Sequence, residues 1–150
     1  MGLFSRHQSD EEWLEEIRPA FEAAHPRMSE MARALEGDSL QEQYEAVQSI
    51  LDYLPGVQKA VKQIRAPSSS EGQRVHKLFR SALKNYILGA KQGRTYFKDF
   101  SSGPGQRVVN ETGFAQRAAA GRLAFSDSLL RSFADSARDE MEQVSPYMDR

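Results

Sequence analysis

The chain has 150 residues with 20 bases and 21 acids, enough for one domain with a real core. Its near-zero net charge of −1 excludes the charge imbalance that keeps weakly hydrophobic chains disordered. Cysteine is absent, which removes disulfides, thiolate nucleophiles, Cys-ligated zinc and iron–sulfur clusters together. Seven Val, four Ile and two Thr stand against seventeen Ala and twelve Leu. Sheets draw on stiff β-branched side chains, so this balance predicts an all-α fold.

The N-terminus, Met1-Gly2-Leu3-Phe4-Ser5-Arg6, runs into a polar stretch without the apolar core of a secretory signal. Arg6 occupies the position where N-myristoylation wants Ser or Thr. No window approaches the eighteen apolar residues of a membrane span. The expectation is therefore a cytoplasmic protein, with residues 1–8 flexible, one helical domain over 9–144, and a frayed C-terminus over 145–150.

Ser9 and Glu12 have capping-box spacing, and acids fill the turn that follows, where the helix dipole favours them. Leu14, Ile17, Phe21, Ala24, Met28, Met31 and Leu35 then recur at alternating steps of three and four, the seam of a helix packed lengthwise on others. Gly37 is placed to end that helix. Pro19 and Pro26 lie inside it and predict a kink, or two abutting helices jointed near His25-Pro26.

A second helix opens at Asp38 or Ser39, with Ser39 and Glu42 again spaced as a capping box. Its seam is Leu40, Tyr44, Val47, Leu51 and Leu54, interrupted at Pro55-Gly56 and resumed one residue out of phase by Val57, Val61 and Ile64. The stretch from Ala66 to Gly72 reads as a loop.

The third helix, about Glu71 to Phe100, carries Val75, Phe79, Ala82, Tyr86, Gly89, Gly93 and Tyr96 on one seam. Leu78, Leu83, Ile87, Ala90 and Phe97 widen its apolar face as a bundle core requires. A turn over Ser101–Gly105 leads to a fourth helix from about Gln106 to Met141, through Val108, Ala115, Ala119, Leu123, Ser126, Leu130, Phe133 and Ala137. Two hairpins of this kind predict an antiparallel, up-down-up-down four-helix bundle.

Charge is segregated along the chain. Residues 1–37 carry a net −4, and residues 66–104 a net +5. The bases are Arg74, Lys77, Arg80, Lys84, Lys91, Arg94 and Lys98, all but the first spaced to share one helix face. They form either a binding face for an anionic partner such as nucleic acid, phosphate or a lipid surface, or an internal complement to an acidic first helix lying alongside. The slightly acidic total favours the second, since nucleic-acid domains are usually basic overall.

Two further patterns suggest sites. Glu22-Ala23-Ala24-His25 has the Glu-x-x-His spacing of bundle metal sites, and residues three apart on a helix can reach one ion. Those sites use two such pairs, and the chain holds one. Gly89 and Gly93 have the Gly-x-x-x-Gly spacing of closely approaching helices, with Ala115–Gly121 as the expected partner. Nucleophile–base pairs, phosphate loops and dinucleotide fingerprints are all missing, and no cofactor is implied. The reading is a binding protein that engages another protein or a second copy of itself. The alternatives are an anion or nucleic-acid binder working through the basic third helix and, more remotely, a metal-carboxylate enzyme using Glu22 and His25.

Overall fold

The structure, a computed structural model, describes residues 7–101 and 113–150. In chain order its elements are β1 (His7–Gln8), α1 (Asp10–Glu36), α2 (Leu40–Lys62), β2 (Ala66–Pro67), α3 (Ser70–Ser101) and α4 (Gly113–Met148). The fold is all-α, with one two-residue parallel pairing, His7 opposite Ala66 and Gln8 opposite Pro67. The turn through Gly103–Gly105 and the expected start of the fourth helix lie outside the described residues, as do residues 1–6. Gln8, read as part of a flexible leader, is buried and donates its amide to the Arg65 carbonyl at 2.9 Å.

The caps form as the spacing predicts. Ser9 Oγ accepts the Glu12 N–H at 3.1 Å, and Ser39 Oγ accepts that of Glu42 at 3.2 Å, each satisfying one of the free donors that open a helix. Gly37 follows α1 in an extended conformation (φ −94°) with its N–H on the Ala34 carbonyl, so no left-handed turn requires glycine there. α1 runs unbroken through Pro19 and Pro26, and α2 through Pro55; a two-helix first segment is thereby set aside. All three prolines are exposed, on the side where water can satisfy the carbonyl that proline leaves unbonded.

The buried face of α2 differs from the expected one. Leu40 and Tyr44 are each 39% exposed, whereas Gln43, Ala46 and Ile50 are buried beside Val47, Leu54 and Val61. With Ile50 in place of Leu51, the steps from Val47 through Ile50, Leu54 and Val57 to Val61 alternate three and four without a slip at Pro55-Gly56. Gln43 tolerates burial because its amide donates to the Gly37 carbonyl at 2.9 Å, closing the α1–α2 corner.

The C-terminus is likewise not frayed. α4 continues to Met148, and Val144, Tyr147 and Met148 carry the seam onward, all buried. Arg18 Nη1 holds the Met148 carbonyl at 3.1 Å, and Tyr147 donates its hydroxyl to Asp10. These side-chain bonds anchor a terminal turn that composition alone leaves loose.

α3 and α4 share the largest interface, followed by α2 with α3 and α1 with α2; α1 meets α4 sparingly and α3 hardly at all. Contacts join early residues of one helix to late residues of its neighbour. Arg74 reaches Gln143 and Tyr44 stands edge-on to Phe97, while α1 meets α4 from Arg18–Met148 at one end to Leu35–Arg131 at the other. The two glycines allow the close approach inferred from their spacing, with different partners. A Cβ on Gly89 would stand 3.1 Å from Phe133 Cβ and 3.2 Å from the Leu130 carbonyl. One on Gly93 would stand 2.9 Å from Val47 Cγ2. Gly89 therefore seats α4 at Leu130–Ala134; the side chains of Ala115–Gly121 lie outside the described ones.

Candidate anion-binding face

α3 carries its described bases at exposed positions. Lys77, Lys84, Lys91 and Lys98 are seven residues apart, about 10.5 Å of helix per step, and Arg80 and Arg94 sit between them. Arg74, Lys77, Arg80, Lys84, Lys91 and Arg94 are all exposed; Lys98 is on α3 beyond the described side chains. Among the described residues none of these six forms a salt bridge, and Arg74 alone has a side-chain partner, Gln143 Oε1 at 3.1 Å. The acids Glu11, Glu12, Glu15 and Glu16 are exposed on α1. Among the described residues no ion pair joins these acids to the α3 bases, so the complementation that the charge balance favoured is not made by direct pairing.

Between α2 and α3 lies a groove of about 530 Å³ whose rim is basic on both sides. Lys62 closes it from α2, and Lys77, Arg80 and Lys84 from α3, with Gln58 and Ser81 as neutral donors and buried Leu83 in its floor. No acid lines it. Lys77, Arg80 and Lys84 are like charges at i, i+3 and i+4 spacing, an arrangement that costs about 0.2–0.5 kcal/mol per pair in an isolated helix; an anion seated among them relieves that repulsion. Lys62, Gln58 and Ser81 are invisible to a reading of one helix at a time, because the groove exists only where two helices meet. The only hint in the sequence is the pair of bases, Lys59 and Lys62, in the last turn of α2.

The start of α3 is fixed by a polar knot. Trp13 is fully buried and donates Nε1–H to His76 Nδ1 at 3.0 Å, and its ring meets those of His76 and Tyr147 edge-on at 5.7 and 5.9 Å. The Asp10 carboxylate accepts the Ser69 hydroxyl, the Ser69 N–H and the Tyr147 hydroxyl. Thus α1, the β2–α3 link and the end of α4 are tied where His76 precedes Lys77.

Two protonation equilibria follow from the knot. The Ser69 hydroxyl, ahead of its N–H and Tyr147, holds Asp10 below the usual carboxylate range. Burial first, and Arg80 second, hold His76 below the usual imidazole range. In both cases the unfolded chain binds the proton more readily, so stability falls as pH falls. The His76 contribution is complete above about pH 6.5 and is lost below it; the Asp10 contribution survives to the carboxylate range and is lost there. Urea unfolding across pH 7 to 3 is expected to show both declines. His76→Gln, which keeps an acceptor for Trp13, flattens the first, and Asp10→Asn flattens the second.

Glu22 and His25 gain no third ligand among the described residues. Glu22 is exposed, and the half-buried His25 ring stacks on Phe21 at 4.9 Å. Among the described residues no three His, Asp or Glu side chains converge to hold an ion. No described helix is long and apolar enough to cross a membrane. Exposed apolar side chains are scattered: Phe125 at 65%, Tyr53 at 54% beneath the Arg27 guanidinium, and Leu40 and Tyr44. Comparison with family models, with curated proteins and with solved structures finds no match to the chain.

Proposed function

We propose that the protein is a binding module, not an enzyme, and that it takes an extended anionic partner along the basic face of α3 and into the α2–α3 groove. The observation that carries this reading is the set of six exposed α3 bases that form no ion pair among the described residues, three of which, with Lys62, rim a groove lined by no described acid. From Lys77 to Arg94 the stripe spans about 25 Å of helix, longer than one phosphate or carboxylate needs, so the partner is a polyanion. The reading takes the four helices as an antiparallel up-down-up-down bundle whose first helix bends at its prolines, and it places the protein in the cytoplasm. A heparin column at low salt is the direct test: retention that fades as salt rises supports the proposal, and passage in the void volume ends it.

A second reading, association with a protein or with another copy of the chain, draws on the half-exposed Leu40, Tyr44, Tyr53 and Phe125 and on the separation of acidic α1 from basic α3. Light scattering after gel filtration tests it. A monomer at tens of micromolar protein, unchanged at low salt, would remove the self-association part.

A further inference from the structure

The sparse seam between α1 and α4 leaves a cleft of about 420 Å³, continued past Ala32 and Arg138 by a hollow of about 100 Å³. This lies within the usual range of small-molecule sites, which are mostly apolar with a few fixed polar groups. Met28, Met141, Ala32 and Pro146 supply the apolar wall. Tyr86 stands at its base: the residue is 2% exposed and lines the cleft, and its hydroxyl has no protein partner among the described residues. Arg138, which lines both spaces, carries a buried Nε–H that is likewise without a partner. Buried donors are nearly always satisfied, and one left over calls for an acceptor. The Arg138 Nε–H is such a donor in the cleft wall, and the Tyr86 hydroxyl, on a residue 2% exposed, is unbonded with its small accessible surface open to the cleft it lines.

The charges around the cleft narrow what that acceptor is. Arg138 already faces Glu36 at 3.4 Å and Asp135 at 3.9 Å through its terminal nitrogens, and Glu142 and Asp149 stand at the mouth. The guanidinium is thus neutralised locally, and an incoming carboxylate or phosphate meets repulsion. Burial pushes the Tyr86 hydroxyl up to about 12, so it remains a neutral donor at any physiological pH.

We infer that the α1–α4 cleft is a binding site for a small, uncharged, apolar molecule carrying a carbonyl-type acceptor, held by the Tyr86 hydroxyl against Met28 and Met141. The site is independent of the basic face on α3 and stands or falls separately from it.

Protein labelled with ¹³C in its methionine methyls is titrated with acetophenone, with α-methylstyrene, which replaces the carbonyl oxygen by CH₂, and with benzoate. Acetophenone is expected to shift the Met28 and Met141 methyls saturably while Met31, fully buried in the core, stays in place. It should bind about tenfold more tightly than α-methylstyrene, the value of one net hydrogen bond, and more tightly than benzoate. Tyr86→Phe should remove most of the preference for the ketone; if that variant does not fold, the three probes on the unaltered protein decide alone. Absence of a saturable shift with acetophenone, equal binding of ketone and hydrocarbon, or tightest binding of benzoate would each overturn the proposal.

Discussion

Replacing Lys77, Arg80 and Lys84 together by Glu is expected to weaken polyanion binding by a hundredfold to a thousandfold at low salt while leaving the fold intact. Exposed ion pairs are worth about 0.2–1 kcal/mol each, and reversal replaces attraction by repulsion, roughly doubling the change. Three reversals therefore amount to about 3–4 kcal/mol, a factor of ten for each 1.4 kcal/mol. The fold is spared because the three side chains are exposed and form no salt bridge, a setting in which substitutions stay within about 0.5 kcal/mol. Arg80 also helps keep His76 neutral, so the variant should show a smaller His76 decline, because the folded and unfolded values lie closer together. Reversing Arg33 and Arg65, exposed bases off the stripe, should cost much less binding per charge. Anisotropy titrations of the three proteins check this; equal losses per charge would mean that net charge matters and the α3 face does not.

The second large effect concerns Trp13. Trp13→Ala is expected to destabilise the protein by about 3–5 kcal/mol, the usual cost of truncating a fully buried aromatic, against a total stability of about 5–15 kcal/mol. It also leaves His76 Nδ1 without its donor and removes the ring that Tyr147 meets edge-on. Trp13→Phe keeps much of the packing but still strands His76, a loss of about 1–3 kcal/mol. Urea unfolding followed by circular dichroism should rank the stabilities as wild type above Phe above Ala. An Ala variant within about 1 kcal/mol of wild type would show that the knot does not hold the first and last helices together.

Much of the fold was legible because long amphipathic helices declare themselves. The serine caps, the α1 seam through Ile17, Ala24, Met28 and Met31, and the α3 core from Val75 to Phe97 all follow from local spacing. Spacing erred where two apolar neighbours compete for one position. Leu51 and Ile50 are equally apolar, and only the packing of α2 on its neighbours decides that Ile50 goes inward; the apparent slip at Pro55-Gly56 came from that one choice. It failed again where burial depends on a distant partner. Gln43 and Tyr147 are buried because they donate to Gly37 and Asp10, and His76 because it accepts from Trp13, and no periodicity carries that information.

The candidate site divides the same way. The basic stripe could be read along one helix, since bases at heptad spacing stay on one side. Whether it met the acids of α1 could not, because that depends on which helices are neighbours. Lys62 joined the site only when α2 was laid beside α3, and the α1–α4 cleft had no counterpart in the sequence.

The central claim is that the α3 face binds a polyanion by neutralising several of its charges at once. Its most direct test is the salt dependence of binding to a fluorescein-labelled DNA duplex of about twenty base pairs, followed by anisotropy. With about six bases engaged, the logarithm of the affinity should fall against the logarithm of salt with a slope of about −5. A slope near zero, or no binding at the lowest salt, would contradict the account.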